Sequence, residues 1–453
     1  MVAPELEARS STRLAFLALS LALVGAASMV YYHLGLFMPR VRQVEVARNL
    51  SGAYRLGDDF YPIWLSSREW LRAGLDPYSV EVTREIQTGL FGRPLDSHIP
   101  SDPPADYRTF AYPAFTDLLF WPAAEFSFAA VRVVLVFLLA ALTVASVFLW
   151  LRALSCGVGR IWSVIILLLV LCSYPVLEGL YAGQLGLLVG FLLAASVLAL
   201  QRARFLLAGI LMALTMIKPQ MTAVALLYLL VWSVWRGKER RFCVGFVSTL
   251  FALAGAAMAV WPHWIQSWTR VILGYHRYAR PPLVAEVLVP SSQPGIAIAI
   301  STFIIGLLLI AAVLMAWRNR AAAADSPRFW LTLSFLLSVT AVTLLPGQAV
   351  HDHVILLPGI FVFVCRWEQL SASRIVKWLL VAGVAVILWP WLTAFSLILL
   401  RPLVSASQFY SKAVFALPLR TAAAFPFLVL GAVALALRRA QAGVAEVSSR
   451  GGS

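Results

Sequence analysis

The stretch RFLLAGILMALTMIKPQMTAVALLYLLVWSVWRGKERR, residues 204–241, decides how the chain is folded. It is one apolar run from Phe205 to Trp235, interrupted only at Lys218-Pro219-Gln220 and flanked by basic clusters, Arg202 and Arg204 before it and Arg236, Lys238, Arg240 and Arg241 after it. As a single helix it would cross a membrane once and place the two clusters on opposite faces. As two short helices it returns both clusters to one face. Proline disfavours the helical conformation in the residue before it, so a break is expected at Lys218. Basic loops keep to the cytoplasmic side of a membrane, which assigns both clusters there and Lys218-Pro219-Gln220 to the opposite face.

Outward from this segment, apolar runs recur over 14–37, 133–151, 161–177, 185–200, 205–217, 221–235, 242–260, 296–317, 329–345, 354–365, 378–400 and 421–437. A hydrocarbon core ~30 Å thick asks for about 20 residues of helix, so the expectation is an all-α polytopic membrane protein of about twelve spans, several of them short. The same parity puts the basic loops at Arg152 to Arg160, Arg318 to Arg328, Arg366 to Lys377 and Arg438-Arg439 in the cytoplasm with both termini, and the segments 40–108, 179–184, 263–293, 347–353 and 401–412 outside. The whole of 1–453 reads as a single integral membrane domain, with a long extracytoplasmic first loop over 39–127 and a short cytoplasmic tail over 440–453.

Composition agrees with this reading. Hydrophobic residues make up 61% of the chain and charged residues 13%, against roughly 45–50% and 25% in soluble domains, which excludes a soluble globular enzyme. The net charge of +15 is topological in so apolar a chain, and no soluble basic module is present to serve nucleic acid. Cys156, Cys172, Cys243 and Cys365 are scattered without a CxxC, and Cys172, Cys243 and Cys365, in or beside apolar runs, read as small core hydrophobes, with no disulfide framework implied. The run 14–37 is too long for a signal-peptide core and has no clean cleavage site, so it reads as a retained first span.

The first outer segment mixes aromatics with charges: Trp64, Trp70, Tyr78, Phe91 and Tyr107. Residues 64–75 have the spacing of an amphipathic helix lying along the membrane surface. Residues 110–126, with Pro113, Asp117 and Pro122, suit a re-entrant or tilted helix better than a clean span.

Ionisable groups at membrane helix ends are costly and therefore functional candidates. Four clusters qualify, and the parity puts all four on one face: Asp58-Asp59, Glu178 with Gln184, Lys218, and His351-Asp352-His353. Each has a plainer reading. Asp58-Asp59 suit an N-cap for the helix that follows, Lys218 suits snorkelling to lipid phosphate, Glu178 suits local pairing, and the His-Asp-His run suits a metal site only poorly, because three consecutive side chains cannot all turn one way on a helix. Taken together they fit sugar transfer from a lipid phosphate. That reaction needs a carboxylate to accept the attacking hydroxyl's proton and cations to hold the leaving phosphate.

At these residues the chain resembles glycosyltransferase family 87, membrane mannosyltransferases of the GT-C fold that include polyprenol-phosphate-mannose-dependent enzymes. The resemblance rests on DDFYPIWLSSREWLRAGLDPYS at 58–79, AYPAFTDLLFWP at 111–122, GQLGLLVGFLLAASVLAL at 183–200, RFLLAGILMALTMIKPQ at 204–220 and HDHVILLP at 351–358, in the family's order. It departs before Ile296, where PSSQPG replaces the family's Asn-Gln-Ser-like turn. The resemblance implies a GT-C-like helix bundle in the cell inner membrane and a single inverting displacement, usually of mannose. It implies Asp59 as catalytic base, with Asp58 its close rival, and donor-phosphate binding by Lys218 and by His351 or His353. Apart from the resemblance, Arg270, His276, Arg277 and Arg280 in the outer loop suit either added charge near the phosphate or pairing with lipid headgroups. Glu178, Gln184 and Tyr112 are expected to line the substrate. The expected partners are a polyprenyl-phosphate sugar donor, a lipid or glycan acceptor and membrane lipids, with no nucleic acid. No metal or other cofactor is expected, because a monophosphate donor has less need of one.

The rival reading is a transporter or flippase of a lipid-linked or anionic substrate, for which a broken helix pair around Lys218 would be the pointer. No internal repeat relates the two halves, and the long outer segment suits an enzyme's cover. A lipid-linked oligosaccharide ligase would carry that segment late in the chain. Here it is early.

Overall fold

The computed structural model describes residues 3–50, 55–278, 281–288, 294–347, 349–366, 374–411 and 415–450. Among them every regular element is helical, apart from one isolated bridge between Pro282 and Pro346. Six helices are long and apolar enough to cross a membrane: Arg13–Ala47, Phe128–Ala153, Lys238–Val260, Ile298–Arg318, Val381–Leu403 and Leu417–Arg438. The pair Arg160–Leu171 and Tyr174–Ala182, bent by 58°, raises the number to seven if it counts as one span. This is a multi-pass membrane protein; among the described residues the expected count of about twelve spans, several of them short, is not confirmed. Gly186–Gln201, Phe205–Ile217, Ala223–Arg236 and Val350–Cys365 are helices of 10–17 residues, which at 1.5 Å per residue extend only ~15–25 Å.

The break at Lys218 is present. The helix Phe205–Leu214 tightens into a 3-10 turn at Thr215–Ile217, Lys218 leaves the helical region at φ −130° and ψ 75°, and Ala223–Arg236 resumes after a second turn at Pro219–Met221. At the centre of the bundle, the helix Pro327–Thr343 is buried at every position from Phe329 to Thr343, and the hydroxyls of Thr332, Ser338, Thr340 and Thr343 are satisfied on its own backbone carbonyls. Trp232 meets Phe329 at 5.5 Å and Trp150 meets Trp330 at 6.2 Å between ring centroids, and all four are fully buried.

Two expectations need correction. The helix Tyr61–Ala73 is not laid along a surface through its length: Tyr61 to Ser67 are buried under the ten-residue helix Phe115–Ala124. Ser66 donates to Asp117 Oδ1 at 2.9 Å, Trp64 Nε1 donates to the Phe126 carbonyl at 3.1 Å, and the far end rests Trp70 on Trp261 at 5.0 Å. The aromatic bulk read as a lipid anchor instead supports the outer segment. Second, Cys156 and Cys365 form a disulfide across 209 residues, with Cα atoms 5.4 Å apart. They are not isolated core hydrophobes, and only the fold brings them together.

Candidate active site

The turn carrying Asp58 and Asp59 is hung on the end of the helix Tyr174–Ala182. The Gly57 N–H donates to the Tyr181 carbonyl at 2.8 Å and the Asp59 N–H to the Ala182 carbonyl at 3.0 Å. Gly183 ends that helix in the left-handed region at φ 68°, where a Cβ would stand 3.1 Å from Gly57 Cα, so glycine is what lets the two segments close together. Neither aspartate caps the following helix, whose N-cap is Phe60 without a side-chain bond. The capping reading fails, and both carboxylates face Arg108.

Arg108 donates through Nη1 to Asp59 Oδ1 and through Nη2 to Asp58 Oδ2, the latter at 3.0 Å. It sits at φ 61°, unusual for a residue with a Cβ. The chain around it is braced: Gln87 Nε2 donates to the carbonyls of Ala105 and Tyr107 at 2.8 and 2.9 Å, Arg93 forks onto Asp102 at 2.6 and 2.7 Å, and Thr83 bonds Thr109 at 2.9 Å.

From Asp59 the network continues inward. Gln184 Nε2 donates to Asp59 Oδ2, while Gln184 Oε1 accepts from Lys218 Nζ at 2.9 Å. Lys218 also donates to Asp352 Oδ1 and Oδ2 at 2.7 and 2.8 Å, and His351 Nε2 lies 3.7 Å from Asp352 Oδ1. Asp352 reaches this position because Gly186 has no side chain: a Cβ there would fall 2.2 Å from Asp352 Oδ1. One continuous chain therefore runs Asp58, Arg108, Asp59, Gln184, Lys218, Asp352, His351. It joins members of all four clusters read from sequence, leaving out Glu178 and His353. Lys218 is 6% exposed with its three donors occupied, so it does not snorkel.

The two neighbouring aspartates differ. Burial pushes the Asp58 carboxyl up to about 7, with Arg108 resisting. Burial also acts upward on Asp59, but Arg108, His351 and the Gln184 hydrogen bond outweigh it and hold that carboxyl below its usual range. Asp59 has donors on both oxygens; Asp58 has a side-chain donor on Oδ2 alone among the described residues. With Asp58 protonated, the Asp59 and Asp352 carboxylates balance Arg108 and Lys218.

The remaining expected residues fall as follows. Tyr112 flanks the network, its phenol held well above the usual range by burial and then by the Asp59 and Asp352 carboxylates. Glu178 lies outside the chain of bonds, its Oε2 3.6 Å from Nε2 of His33 without a hydrogen bond, and the His33 ring meets Tyr174 and Tyr181 edge-on. His353 is buried with neither ring nitrogen hydrogen-bonded among the described residues, apart from the network. Arg280 lies outside the described residues, and its neighbour Arg277 meets Asp106 at 3.2 Å. Arg108, which joins the two aspartates, was not singled out in the sequence. Asp352 was counted in the His351-Asp352-His353 cluster and given no role of its own beyond the metal reading. Neither has a local signal, since each is defined by a partner at least 49 residues away.

Glycosyltransferase family 87, compared as a family model, matches residues 110–346, more than half of the chain. The matched region contains Gln184 and Lys218; Asp58, Asp59, Arg108, His351 and Asp352 lie outside it. No curated protein and no solved structure matches the chain.

Proposed function

The chain belongs to glycosyltransferase family 87, and on that premise we propose that it transfers a sugar, mannose by the family resemblance, from a polyprenyl-phosphate donor to a hydroxyl acceptor on the extracytoplasmic face of the cell membrane. The observation that carries this reading is the asymmetric aspartate pair. A general base works best when its proton affinity matches the working pH and a lone pair is open to the acceptor. Asp58, pushed up to about 7 with a single side-chain donor, meets both conditions. Asp59, bonded on both oxygens, serves instead to orient Arg108 and Gln184. This reverses the preference for Asp59 drawn from sequence.

The acceptor O–H gives its proton to Asp58 as the oxygen bonds to the anomeric carbon. The bond from that carbon to the phosphate oxygen breaks with its electrons on the phosphate, and the configuration inverts. The growing phosphate charge is met by Arg108, whose five N–H groups are only partly engaged with the aspartates, and by His351. Lys218, committed to Asp352 and Gln184, keeps this pair in place and is drawn toward the phosphate only as those bonds loosen. Among the expected phosphate ligands, His351 takes this role rather than His353.

The test is stereochemical. Purified protein in nanodiscs receives a polyprenyl-phosphate mannose of known anomeric configuration, and the configuration of the product linkage is read by NMR. Inversion supports a single displacement. Retention would require a covalent or dissociated intermediate and would overturn the assignment of one aspartate base.

A further inference from the structure

The disulfide between Cys156 and Cys365 has no part in the chemistry proposed above, yet it is tied to the segment that carries His351 and Asp352. Those two residues lie in the 3-10 run Val350–Leu356, and the helix Leu357–Cys365 continues from it without a break. Hydrogen-bond geometry is poor in 3-10 helices and runs longer than 3–4 residues are uncommon, so this run depends on its packing and on the helix that prolongs it. Val354 is packed on Gly190, 3.2 Å from where a Cβ would stand, and Phe361 and Val362 are buried. Beyond them the packing opens. Val364 is exposed and Cys365 half-buried, and the bond to Cys156 is the covalent tie on this last turn.

The other anchor is fixed. Cys156 follows the helix Phe128–Ala153, whose end is closed by two bonds: the Ser155 N–H to the Arg152 carbonyl at 3.1 Å and the Cys156 N–H to the Leu151 carbonyl at 2.9 Å. Ser155 takes the left-handed conformation, φ 52°, that such a helix end uses. Trp150 and Leu151 in the same turn are buried. Cys156 is thus a rigid post, and like Cys365 it is half-buried, within reach of a small reagent.

Arg152, Arg160 and Arg366 flank the pair in sequence, and the topology rule assigns such loops to the cytoplasm. Disulfides are rare in that compartment, and those that form there are usually transient and catalytic or redox-sensing. We infer that Cys156 and Cys365 form a reversible redox clasp on the helix Leu357–Cys365, closed by a low-molecular-weight anionic disulfide and opened by the matching thiol. In closure one cysteine thiolate attacks the small disulfide, releasing one thiol and leaving a mixed disulfide, from which the second cysteine displaces the other thiol. The two cysteine sulfurs are oxidised, the small disulfide is reduced, and the two cysteine protons end on the released thiols. The arginines draw an anionic co-reactant toward the pair. The closed clasp holds His351 and Asp352 as described; the open one lets the 3-10 run shift. Its effect on sugar transfer rests on the glycosyltransferase reading.

The test equilibrates purified protein in nanodiscs with mixtures of reduced and oxidised glutathione that span the cytosolic range. A Cys172→Ser/Cys243→Ser background removes the free thiols. The bonded fraction is read with a mass-tagged maleimide, amide hydrogen exchange over 350–365 by mass spectrometry, and mannose transfer in parallel. The pair is expected to pass from open to closed across these mixtures, with exchange over 350–365 slowed on closure. Transfer should rise about tenfold, short of the ~100-fold that a 1 Å misplacement can cost. Cys365→Ser should match the open form in every mixture. A pair that stays closed or stays open throughout would overturn the inference, as would exchange over 350–365, or the rate of an active protein, that ignores its state. Exchange that follows the clasp, with no transfer from any donor in either state, would support the clasp and remove the glycosyltransferase reading instead.

Discussion

Replacing Lys218 by methionine tests whether the inner half of the network is a committed ion pair. The ammonium gives hydrogen bonds to both oxygens of Asp352 and to Gln184, and Asp352 is 1% exposed, with the His351 imidazole nitrogen 3.7 Å away. Lys218→Met keeps the apolar stem but leaves a buried carboxylate uncompensated, a loss of about 3–5 kcal/mol. Replacing both partners with apolar groups of similar volume is often close to neutral, so Lys218→Met/Asp352→Leu should recover most of that loss. Asp352→Leu alone completes the cycle by stranding the ammonium. The assay is unfolding in mixed micelles with increasing SDS, followed by the fluorescence of the chain's 16 tryptophans. A Lys218→Met variant within about 0.5 kcal/mol of wild type, the range of a surface change, would refute the reasoning. So would a double variant no more stable than the single.

Gly186→Ala should place its Cβ against Asp352 Oδ1, at 2.2 Å before relaxation, and cost about 1–3 kcal/mol by overpacking; the same SDS titration checks it, and wild-type stability would mean Asp352 is not held there. Because a base must be ionised to act and Asp58 is pushed up to about 7, kcat/KM for transfer should fall about tenfold per pH unit below 7 and level off above it. A flat profile from pH 5 to 8 would transfer the role to another group. Basic loops flank Cys156 and Cys365, so the topology rule puts this pair in the reducing cytoplasm, whereas the structure bonds them; permeant maleimide on intact cells without added reductant separates the two, and labelling of both would keep the faces and mean that the pair is reduced in the cell. Labelling only after reduction would place that end of the bundle outside and invert the assignment of faces.

The positions of the apolar helices were legible because hydrophobic runs are local. How many of them cross the membrane was not, because apolar runs stop at local breaks, as at Gly183, left-handed beneath the Asp59 turn, and at Lys218, forced out of helix by Pro219. The Pro219 break was visible because proline acts on its neighbour. The lysine's partner was not, because Asp352 follows 134 residues later. The same distance problem hid the bond of Arg108 to the aspartates and the pairing of Cys156 with Cys365. Between Asp58 and Asp59 the sequence had no means of choice, since the difference lies in which oxygens Arg108 and Gln184 reach. The aromatic residues from Trp64 were read as a face along the membrane surface, because nothing in their own spacing shows that the helix Phe115–Ala124 covers them.

The most direct measurement is transfer of radiolabelled mannose from polyprenyl-phosphate mannose to a membrane glycolipid extract by purified wild type, Asp58→Asn and Asp59→Asn, with donor binding measured alongside. The account predicts that Asp58→Asn binds donor normally and transfers nothing, while Asp59→Asn, its base intact but Arg108 and Gln184 less well held, transfers slowly. Full transfer by Asp58→Asn would contradict the account.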